Sequence, residues 1–189
     1  MTIHHLKPDP SKKVFWASGT SSEIFIYPTT GDFQARNFLF RISTATVEAE
    51  ETVFTAFPNI TRTLMVLKGS LTLNHAGHHS ITMAPFEQDT FQGDWDTTSK
   101  GVVTDFNLMC KQGAAGTLTP HHGSDQVELV VELKSDFELF YLHSGKAEHQ
   151  GNQIETGDCL VVENGNGSQV AIVCNEACDL IQASVNLSN

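Results

Sequence analysis

Polar side chains recur in this sequence at places where an extended chain usually carries apolar ones. In Phe40-Arg41-Ile42-Ser43-Thr44-Ala45, strand alternation puts Arg41, Ser43 and Ala45 on one face. In Thr104-Asp105-Phe106-Asn107-Leu108-Met109, Asp105 and Asn107 share a face opposite Phe106 and Leu108. Turned inward, such groups are costly unless they are paired or line a wet cavity. An arginine in a cavity wall can clamp a carboxylate through two parallel hydrogen bonds, with Asp105 setting its orientation. Turned outward, or joined as a buried structural pair, the same residues carry no binding chemistry.

Nine histidines offer a second chemistry. His75, His78 and His79 gather around Gly77, His143 and His149 (beside Glu148) flank Gly145, His121 and His122 precede Gly123, and His4 and His5 lie near the start. A metal centre needs imidazoles and a carboxylate that converge from inward faces and leave one position open. None of these sets has that spacing, and no Glu follows the first set before Glu87. They read as turn histidines, and no metal or other cofactor is expected. Nucleophilic catalysis has no support either, since there is no Gly-x-Ser-x-Gly and no Cys with a plausible His partner. The hydroxyl-rich segment 16–23 either offers backbone N–H groups to an anion or is a plain turn.

The elements that must position these residues are strands. Segments 23–27, 38–47, 62–73, 102–109, 126–133 and 137–142 are short, rich in Val, Ile, Thr and Phe, and broken by Gly or Asn. No stretch of a dozen residues carries a helical stripe. The chain also repeats itself. The segments 63–69, 71–74 and 80–86 follow the same rhythm as 137–145 and 153–159: strand, Gly turn, strand, polar turn, strand. That rhythm is the local pattern of a cupin, a small jelly-roll barrel. The expected architecture is therefore all-β, a bicupin of two fused double-stranded β-helix barrels, with a plain β-sandwich of hairpins as the alternative. Residues 1–112 would form the N-terminal barrel with a leader and 113–189 the C-terminal barrel, together one compact unit. The junction is expected within 113–123.

Size and charge set outer limits. A chain of 189 residues suits one domain or two small fused halves. Eleven Lys+Arg stand against 22 Asp+Glu, giving a net charge of −11 with no basic cluster, which argues against a nucleic-acid binder. No apolar run approaches the roughly 20 residues of a membrane helix, and the first 13 residues lack the apolar core of a signal peptide. Cys110, Cys159, Cys174 and Cys178 form no CxxC pair, and residues 175–177 read as a turn between strands. Reduced, buried thiols in a cytoplasmic protein are the expectation.

The order of residues narrows the reading. Trp16, Gly19-Thr20, Glu23-Ile24 and Tyr27-Pro28 open the series, followed by Arg41-x-Ser43-x-Ala45-x-Val47. Phe54-x-x-Phe57-Pro58, Arg62, Leu67-x-Gly69, Pro85-Phe86, Phe91-x-Gly93-Asp94 and Asp105-Phe106-Asn107-x-Met109 complete it. From Trp16 to Met109 this order and spacing resembles the HutD/Ves family of small bicupins; beyond Met109 only the repeat supports it. Ser18, Asn37, Phe40 and Asn59 depart from the family pattern, which has Gly, Asp, Trp and Gly at the corresponding places. These departures bear on pocket shape.

The resemblance implies a cytoplasmic bicupin without the usual metal-binding histidines, with one branch tied to histidine utilisation in a regulatory or sensing role. A non-catalytic protein that binds a small carboxylate or amide metabolite in the N-terminal barrel is then expected, for example an acylated glutamate. Arg41 would be the clamp, with Ser43, Asp105 and Asn107 completing the polar wall. Trp16, Thr20 and Glu23 would close the mouth, Phe54 and Phe57 would line it, and Arg62 would be a second anchor or a structural ion pair. The alternative is a metal-dependent isomerase or oxygenase using His75, His78 or His79. Edge strands make a homodimer possible, and neither nucleic acid nor membrane is expected as a partner.

Overall fold

The computed structural model describes residues 1–16 and 18–188. Its elements are β1 (Thr2–Leu6), a short 3-10 turn (Pro10–Lys12), β2 (Lys13–Trp16), β3 (Gly19–Tyr27), β4 (Phe40–Val47), β5 (Glu51–Val53) and β6 (Ile60–Gly69). Next come β7 (Leu71–His75), β8 (Ser80–Met83), β9 (Gln88–Gln92), β10 (Thr97–Lys100) and β11 (Val103–Lys111). The series ends with β12 (Ala114–Gly123), β13 (Glu128–Glu132), β14 (Phe137–Ser144), β15 (Lys146–His149), β16 (Asn152–Glu155), β17 (Cys159–Glu163), β18 (Gln169–Cys174) and β19 (Cys178–Leu187).

Two units arise, Asp9–Ala114 and a second made of Met1–Pro8 with Ala115–Asn189. The first stacks a six-stranded sheet, in the order β2-β3-β4-β11-β6-β9, on a four-stranded one, β5-β10-β7-β8. Leu64 and Val66 of β6, Val47, Val103 and Phe91 turn inward from the larger sheet and meet Leu71, Leu73 and Met83 from the smaller. The second unit has the sheets β1-β17-β14-β19-β12 and β13-β18-β15-β16. Phe140, Leu142, Leu160, Val162 and Leu180 there meet Ala147, Ile154, Val170 and Ile172. With β1 set aside, each strand of the second unit has a counterpart eight strands earlier in the same spatial order. The repeat seen in sequence is thus a repeat of topology, in the jelly-roll arrangement expected.

Glycine explains why the rhythm is visible in sequence. Gly69 ends β6 at φ +90° and Gly145 directly follows β14 at φ +84°, a backbone region that L side chains avoid. A Cβ at Gly69 would lie 2.4 Å from the Val102 carbonyl oxygen, and one at Gly145 would lie 2.3 Å from that of Ala177. Each barrel needs a residue without a side chain at this turn.

Two expectations are corrected. The leader does not join the first barrel, because β1 pairs antiparallel with β17 over five residues, from Thr2↔Glu163 to Leu6↔Cys159. Ile3 packs on the second unit's core, and Asp158 holds His5 at 2.9 Å and Lys7 at 2.5 Å. Burial alone would raise the Asp158 carboxyl, but hydrogen bonds from Lys7, the Glu155 N–H and His5 hold it below the usual range. The boundary between the units, at Ala114 and Ala115, falls within the expected junction 113–123, most of which is strand β12. Nor are all the cysteines reduced. Cys174 and Cys178 are joined as a disulfide across the β18–β19 turn, while Cys110 and Cys159 are free and buried.

The glycine argument is open to a direct check. Gly69→Ala adds a collision to the left-handed backbone penalty. Gly77→Ala, at φ +78° with nothing within 4 Å of an added Cβ, carries only that penalty, about 1–2 kcal/mol. Urea denaturation should show Gly69→Ala costing clearly more; equal costs would mean that close approach to Val102 is unimportant.

Candidate functional site

Register brings the polar residues of the first unit to one face. Ser43 pairs with Asn107 and Arg41 with Met109 across β4 and β11, Arg62 of β6 lies opposite Met109, and Glu23 of β3 lies opposite Ser43. Leu64 and Val66, which belong to the barrel core, pair with Asn107 and Asp105, so this is the inner face. Arg41, Ser43, Arg62, Asp105 and Asn107 are all buried there.

The wall is organised around two guanidiniums. Arg41 donates from Nε to Glu23 Oε2 at 3.0 Å and from Nη1 to Ser43 Oγ at 2.8 Å, and its flat face lies 4.1 Å from the Phe33 ring centre. Arg62 donates from Nη2 to Asn107 Oδ1 at 2.8 Å, and Asn107 passes the chain on by donating to Asp105. Phe54, Phe91 and Phe57 surround the Arg62 guanidinium at 4.9, 5.2 and 5.8 Å. Aromatic rings attract the faces of a guanidinium and leave its N–H edges for in-plane acceptors. One such edge is unused: Arg62 Nε is buried without a hydrogen-bond partner.

Charge on this face is unbalanced. Arg41 and Lys12, whose Nζ lies 3.4 Å from Glu23 Oε1, share one carboxylate, Glu23, while the carboxylate acting on Arg62 is Asp105. Asp105 compensates only in part, because burial pushes its carboxyl up to about 7 against the opposing pull of Arg62 and Asn107. Arg62 itself is brought down to about 10, chiefly by burial, with Arg41 adding repulsion and Asp105 opposing it. Burial likewise lowers Arg41, against the hydrogen bond and charge of Glu23.

A second polar group lies across Phe91. His75 is 1% exposed, and its ring centre lies 4.5 Å from that of Phe91. Its Nε2 is 2.9 Å from Asp89 Oδ2, which lies at the same distance from His79 Nε2. Burial lowers the pKa of His75, against the hydrogen bond and charge of Asp89. His78 instead stacks on Trp95, with ring centres 3.7 Å apart. Reading these residues as turn histidines therefore fails for His75. Leu71-x-Leu73-x-His75 and Asp89-x-Phe91 follow the same alternation as the rest of the core, and that was the signal available in sequence.

Other expectations shift as well. Asp105 does not orient Arg41; Glu23 and Ser43 do, and Asp105 reaches Arg62 through Asn107. Arg62 has no carboxylate within ion-pairing distance among the described residues, so it is not half of a structural ion pair. Glu23 is part of the wall, and Phe54 and Phe57 line it. Thr20 pairs with Thr46, one position out of phase with Ser21↔Ala45, and so takes the opposite face of the sheet. Trp16 is exposed on edge strand β2. Phe33, in the loop before β4, and Phe91 are site residues that the sequence reading missed. A groove of about 430 Å³ on the smaller sheet, lined by Glu51, Val53, Thr72, Asn74 and Lys100, is remote in register from this wall.

The second unit answers the same positions differently. Glu138 lies seven residues before Gly145, as Arg62 does before Gly69. Gln182, opposite Phe140, stands where Asn107 stands opposite Leu64. Glu138 accepts from Gln182 at 2.8 Å, Ser184 at 2.5 Å and the Lys134 N–H at 3.1 Å. Its lone pairs are taken up within the fold.

Against known proteins, the family model HutD matches residues 9–181. No curated protein sequence matches the chain significantly. A conserved protein of unknown function from Pseudomonas aeruginosa PAO1 superposes with a TM-score of 0.80 at 20% identity, over 98% of this chain and 100% of its own. HutD from Pseudomonas fluorescens SBW25, in a formate condition, gives 0.73 at 20% identity over 100% of both chains. The bacterial pirin YhhW from Escherichia coli, in complex with nickel(II), gives 0.73 at 12% identity over 99% of this chain and 100% of its own. These likenesses extend over both barrels and identify the architecture as a bicupin. No helix is long and apolar enough to cross a membrane.

Asp105 gives the wall a pH signature. An unfolded chain releases this proton near 3.8, whereas the folded one holds it to about 7. Between those values the folded state binds more protons than the unfolded, so stability falls as pH rises through the window, by up to about 1.4 kcal/mol per pH unit. Urea denaturation between about pH 5 and pH 7.5 should show that loss in the wild type, and a flatter profile in Asp105→Asn. Parallel profiles would mean that Asp105 titrates as an ordinary carboxylate.

Proposed function

The chain belongs to the HutD family, and from that premise we propose that it is a non-catalytic, cytoplasmic binding protein for a small carboxylate or amide metabolite. In this reading it is a sensing or regulatory component linked to histidine utilisation. The observation that carries the reading is the surplus of guanidinium charge on the inner face of the first barrel. Arg41 and Arg62 are buried, their faces lie against phenyl rings, and one Arg62 N–H has no acceptor. A buried donor without a partner costs about 1–3 kcal/mol. An anion that accepts from it recovers that cost and offsets the Arg41–Arg62 repulsion.

The ligand class follows from the donors. Arg41 and Arg62 suit one or two carboxylate groups, while Asn107 and Ser43 suit an amide or formyl oxygen beside them. Acylated glutamates combine both features. Uptake of a proton by Asp105 removes the negative charge that acts on Arg62, so affinity for an anion rises as pH falls through about 7. The second barrel, with Glu138 saturated by its own donors, offers an anion nothing comparable.

Isothermal titration with formate, glutamate, formylglutamate, formiminoglutamate, urocanate and histidine tests this directly. An acylated glutamate should bind, and Arg41→Ala and Arg62→Ala should each weaken it by at least about tenfold, the loss of one charged hydrogen bond. Glu138→Gln should leave affinity unchanged. Unaltered binding in both arginine variants, with the fold retained by circular dichroism, would remove the first barrel's wall from the site.

A further inference from the structure

We propose that His75, His79 and Asp89 form a three-ligand site for a divalent transition-metal ion, zinc(II) foremost, with its remaining coordination position open to solvent. Among the described residues they are the one set of three His, Cys, Asp or Glu side chains whose ligand atoms all lie within 4.8 Å of one another. Zinc bonds of about 2.0–2.2 Å place tetrahedral ligand atoms roughly 3.3–3.5 Å apart. The two 2.9 Å separations need to widen only by tenths of an ångström. His79 is exposed, so the ring can make that adjustment, and a water can complete the shell from its side.

Hydrogen bonding around His75 orients its ring for ligation. Nδ1 lies 2.7 Å from the Thr97 hydroxyl, whose oxygen is also 3.2 Å from the Trp95 carbonyl. The ring is thereby anchored with Nε2 turned to Asp89 Oδ2, 2.9 Å away. With the ring proton on Nδ1, Nε2 offers its lone pair to a metal ion beside that carboxylate. An imidazole whose far N–H is held by a protein oxygen is the usual arrangement of a metal-ligating histidine. Two histidines and one carboxylate with an open position suit zinc, iron(II), nickel(II) or cobalt(II).

The repeat shows what the first barrel has gained. In the second, Leu160 stands opposite Phe140 as Asp89 stands opposite Leu64, and His149, four residues past Gly145, falls where Leu73 stands four past Gly69. The second barrel keeps one inward histidine, bonded through Nδ1 to the Ala171 carbonyl, and lacks the carboxylate and the second imidazole. In the first barrel the three ligands come from β7, from the turn before β8 and from β9, strands of both its sheets. A bound ion would clasp the edge strands β8 and β9 together.

The site is tested independently of carboxylate binding. Metal-stripped full-length protein without an affinity tag is dialysed against zinc(II), and bound metal is counted by mass spectrometry. Cobalt(II) replaces zinc to report coordination by visible absorption. We expect one zinc per chain and intense tetrahedral cobalt bands. Quenching of Trp95 fluorescence by nickel(II), measured in Trp16→Phe to leave one indole, should accompany binding, because the Trp95 ring lies 5.5 Å from His75 and 5.9 Å from His79. His79→Ala, an exposed change that spares the core, and Asp89→Asn should each weaken zinc binding at least tenfold, while Arg41→Ala and His149→Gln leave it intact. Absence of stoichiometric zinc, or equal binding by His79→Ala and Asp89→Asn, would overturn the proposal.

Discussion

Two buried arginines with too little carboxylate beside them are the constraint around which the first barrel is arranged. A guanidinium keeps its charge under all ordinary conditions, so burying it requires acceptors, opposite charge or polarisable surroundings. Arg41 obtains Glu23 and Ser43, and Arg62 obtains Asn107 and three phenyl rings. Asp105 contributes less than a full charge because its own burial resists ionisation. The aromatic residues Phe33, Phe54, Phe57 and Phe91 therefore hold the two cations while leaving part of their hydrogen-bonding capacity unused.

The internal repeat turns this into a comparison within one molecule. Both barrels share strand order, the glycine that ends the strand corresponding to β6, and the inward direction of the residue seven positions before it. One barrel fills that position with Arg62, the other with Glu138. The carboxylate is satisfied by Gln182, Ser184 and a backbone N–H, whereas Arg62 retains an unmatched donor. Fold and function separate cleanly here, because the scaffold is duplicated and the chemistry is not. The same holds for the His75 group, since Leu160 stands in the second barrel where Asp89 stands in the first.

Phe91 lies against both polar groups of the first barrel. One side of its environment is the Arg62 guanidinium and the other is His75. The ring stands on β9 and the side chains flanking it come from β6 and β7, so both sheets of the barrel take part.

Much of this was legible in the sequence. Alternation alone placed Arg41 with Ser43 and Asp105 with Asn107, and the glycine rhythm disclosed the duplicated barrel. These are local properties, fixed by a strand's period of two and by the steric demands of a left-handed turn. Which strands become neighbours is not local. That β11 lies between β4 and β6, that a register shift in β3 brings Glu23 beside Arg41, and that Asp105 serves Arg62 were decided by sheet pairing between distant segments. The same applies to the strand Met1–Pro8 contributes to the second barrel and to the meeting of His75, His79 and Asp89. The sequence by itself determined which faces are polar and where the chain must turn. Only the tertiary structure decided which charges meet, because non-local pairing sets the distances on which electrostatics and metal ligation depend.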